Sequence, residues 1–202
     1  MEGIYFYWIF WIGWIYCTFM LDKTRKRIAV TVAILFLIIF STRHVIINDI
    51  IVNCSTLLGL LIGYYFISKS HFTTILYYLS ISLILTCSYV SFRLFQLYDP
   101  VWVMFNPTIK LAAILILLTL VLIREHQIRI ALLLITVAQG EIIYSLFLNS
   151  IVGNVVVIGH LESLDIVAIT IAVSYLWLVF EKMVALLDDY VKQRTVLSSQ
   201  RR

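Results

Sequence analysis

One carboxylate stands inside a segment that is otherwise almost all hydrocarbon. Glu141 lies near the middle of the apolar stretch 130–151, with Gln139 two residues before it. An ionisable group in a bilayer core is costly, so it faces a protein interior, a water-filled cavity or a partner. On a helix, Glu141, Ser145 and Asn149 follow one another at four-residue steps and share one face. Two kinds of chemistry fit such a stripe. It can line a hydrophilic cleft, where a carboxylate relays protons or holds a ligand. It can equally be a polar seam that hydrogen-bonds to a neighbouring helix and fixes the packing. Residue types alone leave both open.

The other polar constellations are weaker. Thr170, Ser174, Trp177 and Glu181 fall on one side of a later helix, with Glu181 beside Lys182 near the membrane boundary. Arg43, His44, Asn48 and Asp49 crowd one turn, where Arg and Asp can pair and cap helix ends. A single histidine there is far short of a metal site. His71, His126 and His160 lie in loops on different sides and form no cluster. Ser55, Gly59 and Gly63 form a small-residue stripe that lets two helix backbones approach, within the chain or between copies. Cys17, Cys54 and Cys87 make no C-x-x-C pair and read as small buried hydrophobes, although Cys54 and Cys87 fall at similar depth. There is no H-E-x-x-H, G-x-S-x-G, Walker or G-x-G-x-x-G sequence. The expectation is a non-enzymatic chain with no cofactor and no metal.

The elements that must position these residues follow from composition. Of 202 residues, 62 % are hydrophobic and 13 % charged, and the mean hydropathy is +1.02. A soluble domain carries about 25 % charged residues, so this chain lacks the charge to cover a water-facing surface. Its apolar residues come in blocks separated by short polar breaks, the pattern of a helical multi-span membrane protein. The blocks predict an all-α transmembrane bundle of seven spans at 3–21, 28–46, 50–67, 72–91, 108–123, 130–151 and 164–187. One domain, 1–187, is followed by a basic tail, 188–202. The first span carries nine aromatics and reads as a retained helix rather than a cleavable signal peptide.

The basic residues orient the spans. Lys23, Arg25, Lys26 and Arg27 follow the first span, and the positive-inside rule keeps that cluster cytoplasmic. Seven spans then place twelve Lys and Arg inside and three outside, with the N-terminus out and the C-terminus in. The outer set is Arg43, Arg93 and Lys110, and the outer acids Glu2, Asp49, Asp99, Glu162 and Asp165 read as a wetted surface. The connection 92–107, with Phe95, Tyr98, Trp102 and Phe105, reads as an aromatic interfacial loop. The basic loop and tail suit anionic lipid. A protein partner or a second copy is the other expectation, and nothing points to nucleic acid. A retinal protein is rejected, because the last span has only Lys182, close to its inner end.

The opening Met1-Glu2-Gly3-Ile4-Tyr5-Phe6-Tyr7-Trp8, the aromatic first span and the break Asp22-Lys23-Thr24-Arg25-Lys26 resemble the YphA-type family of small integral membrane proteins of Bacillus and relatives. The likeness in length and span layout covers the chain, while the specific residues lie in the first 27. The resemblance implies a bacterial plasma membrane and brings no catalytic residue with it. The expected role is structural, interacting, or binding of a small or lipidic ligand. The alternative is a small transporter or substrate-binding membrane subunit that uses a cleft at Glu141.

Overall fold

A computed structural model describes residues 2–47, 50–99, 106–152 and 156–199. Among them are seven helices: α1 Ile4–Phe19, α2 Arg25–Phe40, α3 Cys54–Ile67, α4 Phe72–Tyr98, α5 Pro107–Leu122, α6 His126–Val152 and α7 Leu161–Ser199. Apolar runs satisfy their own backbone groups in this way when no water is at hand. Local polar residues start the helices. The Thr24 hydroxyl accepts the Arg27 N–H at 3.2 Å, and the Asn53 side chain accepts the Ser55 N–H at 2.8 Å. Asn106 accepts the Thr108 N–H at 3.1 Å, with Pro107 at the first helical position.

Three helical stretches, Phe72–Tyr98, His126–Ile151 and Leu161–Asp188, are long and apolar enough to cross a membrane. The helices α1, α2, α3 and α5 have 14 to 16 residues. That is about 21–24 Å at 1.5 Å per residue, against a hydrocarbon core of about 30 Å.

The stretches expected as spans 28–46 and 50–67 are each part helix and part strand. β1 (His44–Ile47) and β2 (Ile50–Asn53) pair antiparallel, with Ile47 opposite Ile50. Val45, Ile46, Ile47, Ile50, Ile51 and Val52 are all β-branched, and such a run fits a pleated surface better than a helix end. The intervening Asn48 and Asp49, singled out above, lie outside the described residues. β3 (Val156–Ile158) joins β2 in parallel, with Ile50 opposite Val156. The small sheet thus ties the α2–α3 link to the α6–α7 link. The chain leaves β3 through Gly159 at φ 83°, where a Cβ would lie 2.9 Å from the Asn53 Cβ.

Two further boundaries differ from expectation. α4 runs to Tyr98, so Arg93 and Phe95 are helical rather than part of a loop. Trp102 and Phe105 lie outside the described residues. α7 continues without a break through the expected tail as far as Ser199.

α6 is the central element, packed against α3, α4 and α7. Every residue from Ala131 to Ala138 is buried, so this helix is apolar all round where it passes through the core. α3 approaches it through the small-residue stripe. A Cβ at Gly63 would sit 2.6 Å from Ile135 Cγ1 and 2.8 Å from the Ala131 carbonyl, and one at Gly59 would sit 3.5 Å from Leu134 Cδ2. α1 closes the side between α2 and α7 with Phe6 and Phe10 in the core.

Candidate functional site

α4 buries one stripe against α6, and its last two turns carry Tyr89 and Arg93 four residues apart on that stripe. Both are buried. Gly140 on α6 faces the Tyr89 ring, and any Cβ there would collide with it. The missing side chain lets the ring lie against the α6 backbone, between Gln139 and Glu141.

Glu141 is 1 % exposed. Its Oε1 accepts the Tyr89 hydroxyl at 2.5 Å and meets Arg93 Nη2 at 3.4 Å. Arg93 Nε donates to the Tyr89 hydroxyl at 3.4 Å. Arg93 Nη1 reaches Glu162 Oε2, on the first turn of α7, at 2.9 Å. The guanidinium carbon also lies 5.8 Å from the ring centroids of Tyr89 and Tyr144. One cation therefore bridges two carboxylates from two helices. One of them is sealed and the other, Glu162, has 28 % of its side chain exposed. Glu141 Oε2 is buried and meets no donor among the described residues.

The remaining stripe residues are placed unevenly. Gln139 Nε2 donates to the Tyr64 hydroxyl on α3 at 2.5 Å, and its Oε1 accepts from Thr86 on α4 at 3.2 Å. Ser145 donates to the Val157 carbonyl at 2.9 Å and so anchors β3. Asn149 is exposed and does not extend the buried polar face. On α7, Thr170 and Ser174 are buried, while the exposed Trp177 donates its indole N–H to Glu181.

Sequence reasoning missed Arg93, Tyr89 and Glu162. A span that ends at residue 91 puts Arg93 in an outer loop, whereas α4 runs on to Tyr98. The signal was there: Tyr89 and Arg93 at helical spacing in line with Thr86. Asp165 also departs from its expectation as wetted surface. It is buried, and its carboxylate accepts the Gly3 and Phe6 N–H groups at 2.7 Å each, capping α1 from another helix. Cys17, Cys54 and Cys87 are all free thiols, with Cys87 exposed. Among the described residues no group of three His, Cys, Asp or Glu could hold a metal ion.

Three helices long and apolar enough to cross a membrane, in a chain of mean hydropathy +1.02, mark an integral membrane helical protein. The chain belongs to the family of YphA-like integral membrane proteins, whose profile it matches over residues 2–200. It is similar to the uncharacterized protein YphA of Bacillus subtilis strain 168, with 33 % identity over 162 residues, 79 % of each chain. No solved structure matches it.

Proposed function

We propose that this is a multi-pass protein of the bacterial plasma membrane that crosses the bilayer seven times, with the N-terminus outside and the C-terminus in the cytoplasm. It works as a non-enzymatic structural or interaction component. The observation that carries the role is that Glu141 and Gln139 on the central helix are tied to neighbouring helices. Glu141 is held by Tyr89 and Arg93, and Gln139 by Tyr64 and Thr86. These contacts join α3, α4, α6 and α7 into one body. Large apolar side chains such as Trp8, Phe19, Phe72, Leu76 and Leu176 stay exposed and suit contact with lipid or a partner helix. The exposed Lys23 and Arg25 suit anionic headgroups.

The topology is supported by the basic bias of alternate loops. Reporter fusions after residue 202 should report from the cytoplasm, and an external signal would overturn the orientation. The role is tested in proteoliposomes with an imposed proton gradient. Purified protein should leave the gradient intact, and Glu141→Gln should change nothing.

A second reading, a small proton-coupled transporter or substrate-binding subunit, is favoured by one observation. Glu141 Oε2 has no partner among the described residues, while Glu162, on the other side of Arg93, is partly exposed. Gradient discharge that disappears with Glu141→Gln would establish it in place of the first.

A further inference from the structure

The corner between α5 and α6, at the end of the bundle away from the sheet, holds a second buried cation. Arg129 is 2 % exposed. Its side chain folds back along α6, as helical side chains do. Nη2 donates to the Ile123 carbonyl at 3.0 Å and to the Arg124 carbonyl at 3.4 Å. The guanidinium head therefore sits beside the first turn of α6, where backbone N–H groups lack intrahelical acceptors. Nε and Nη1 are buried and meet no acceptor among the described residues, and Nδ1 of His126, the first residue of α6, is in the same state.

A buried guanidinium that makes no ion pair among the described residues is costly. The charge of Glu181 reaches Arg129 through space, but among the described residues no carboxylate bonds to its Nε or Nη1. Glu181 on α7 is exposed and accepts the Trp177 indole N–H. The Glu125 side chain is exposed, and only its carbonyl engages Arg129, through the backbone N–H at 3.0 Å. Arg124 and Lys182 add exposed positive charge around the corner.

We propose that this corner binds a phosphate-bearing anion, with Arg129 as the principal donor and His126 and the first turn of α6 as further contacts. A guanidinium beside a helix N-terminus is the donor set that phosphate oxygens fit. The headgroup of an anionic lipid and free inorganic phosphate share that chemistry. Glu181 and Lys182 on α7 are exposed and lie near enough for their charges to act on His126.

The test uses the full chain. In detergent, inorganic phosphate is titrated against the melting temperature. In nanodiscs, retention of phosphatidylglycerol over phosphatidylcholine is read by native mass spectrometry. A saturable rise in the first arm identifies free phosphate, and selective retention in the second identifies the lipid headgroup. Arg129→Gln should weaken whichever binding is seen by at least about tenfold. Glu181→Gln changes an exposed side chain and removes the nearest competing charge, so it should strengthen binding a few-fold. The proposal falls if wild type binds neither probe, or if Arg129→Gln binds as wild type does. It also falls if Glu181→Gln weakens binding or lowers the unliganded melting temperature, since Glu181 would then be the counter-ion. Should Arg129→Gln fail to fold, the Glu181→Gln arm alone decides.

Discussion

Tyr89 on α4 and Glu141 on α6 meet at 2.5 Å across 52 residues of sequence. That contact explains how the most expensive side chain in the central helix is tolerated. Glu141 need not find water or lipid, because α4 brings it a hydroxyl and a guanidinium on successive turns. Arg93 also turns toward α7, where its Nη1 reaches Glu162.

Glu141→Gln keeps an acceptor for Tyr89 and leaves Arg93 its pair with Glu162. It should cost no more than about 1 kcal/mol. Glu141→Leu leaves the Tyr89 hydroxyl and part of the guanidinium buried without an acceptor, and should cost about 2–4 kcal/mol. Unfolding of the purified variants in mixed detergent measures both. A Leu variant as stable as the Gln variant would mean that the network adds nothing to the fold.

The α3–α6 contact makes an equally sharp pair of outcomes. Gly63→Ala forces a methyl against Ile135 and the Ala131 carbonyl, and overpacking of this kind costs about 1–3 kcal/mol. Gly13 on α1 has nothing within 4 Å of its would-be Cβ. Gly13→Ala should therefore be neutral or stabilise by up to about 1 kcal/mol through helix propensity. Melting of the two single variants side by side checks this, and a destabilised Gly13→Ala with a neutral Gly63→Ala would contradict the packing described.

The helical frame was legible because long apolar runs broken by Asp22-Lys23 or Asn106-Pro107 leave the backbone few other choices. The strands were not, because Val45 to Ile47 and Ile50 to Val52 are as apolar as the helices beside them. Hydropathy alone cannot separate the two, and only β-branching hinted at the difference. Glu141 stood out because a lone carboxylate in such a run is rare. Its partners did not, because which helix faces α6 is decided by tertiary packing. Arg93 reads as a loop charge and Asp165 as wetted surface because neither the continuation of α4 nor the docking of Gly3 beside α7 is written in local sequence.

Asp165 ties the start of α1 to α7 by accepting the Gly3 and Phe6 N–H groups. Asp165→Ala should cost about 1–2 kcal/mol, the scale of a lost N-terminal cap. Hydrogen exchange should rise at the first turn of α1 and leave α6 unchanged. Asp165→Asn, which keeps one acceptor, should fall between the two. Equal exchange in α1 for wild type and the Ala variant would show that the cap does not hold that end.

Arg93 serves two carboxylates, and that sharing predicts non-additivity. Glu162→Gln alone leaves the guanidinium with Glu141 at 3.4 Å. Glu141→Gln alone leaves it with Glu162 at 2.9 Å. Each single variant retains one ionic partner, so each should be mild. The double variant strands a buried cation with neutral acceptors only, so its loss should exceed the sum of the singles by about 1–3 kcal/mol. Adding Arg93→Gln to the double variant removes the stranded charge and should recover part of that excess. Strict additivity in this cycle would mean that Arg93 escapes to solvent when unpaired, and that Glu141 and Glu162 do not communicate through it.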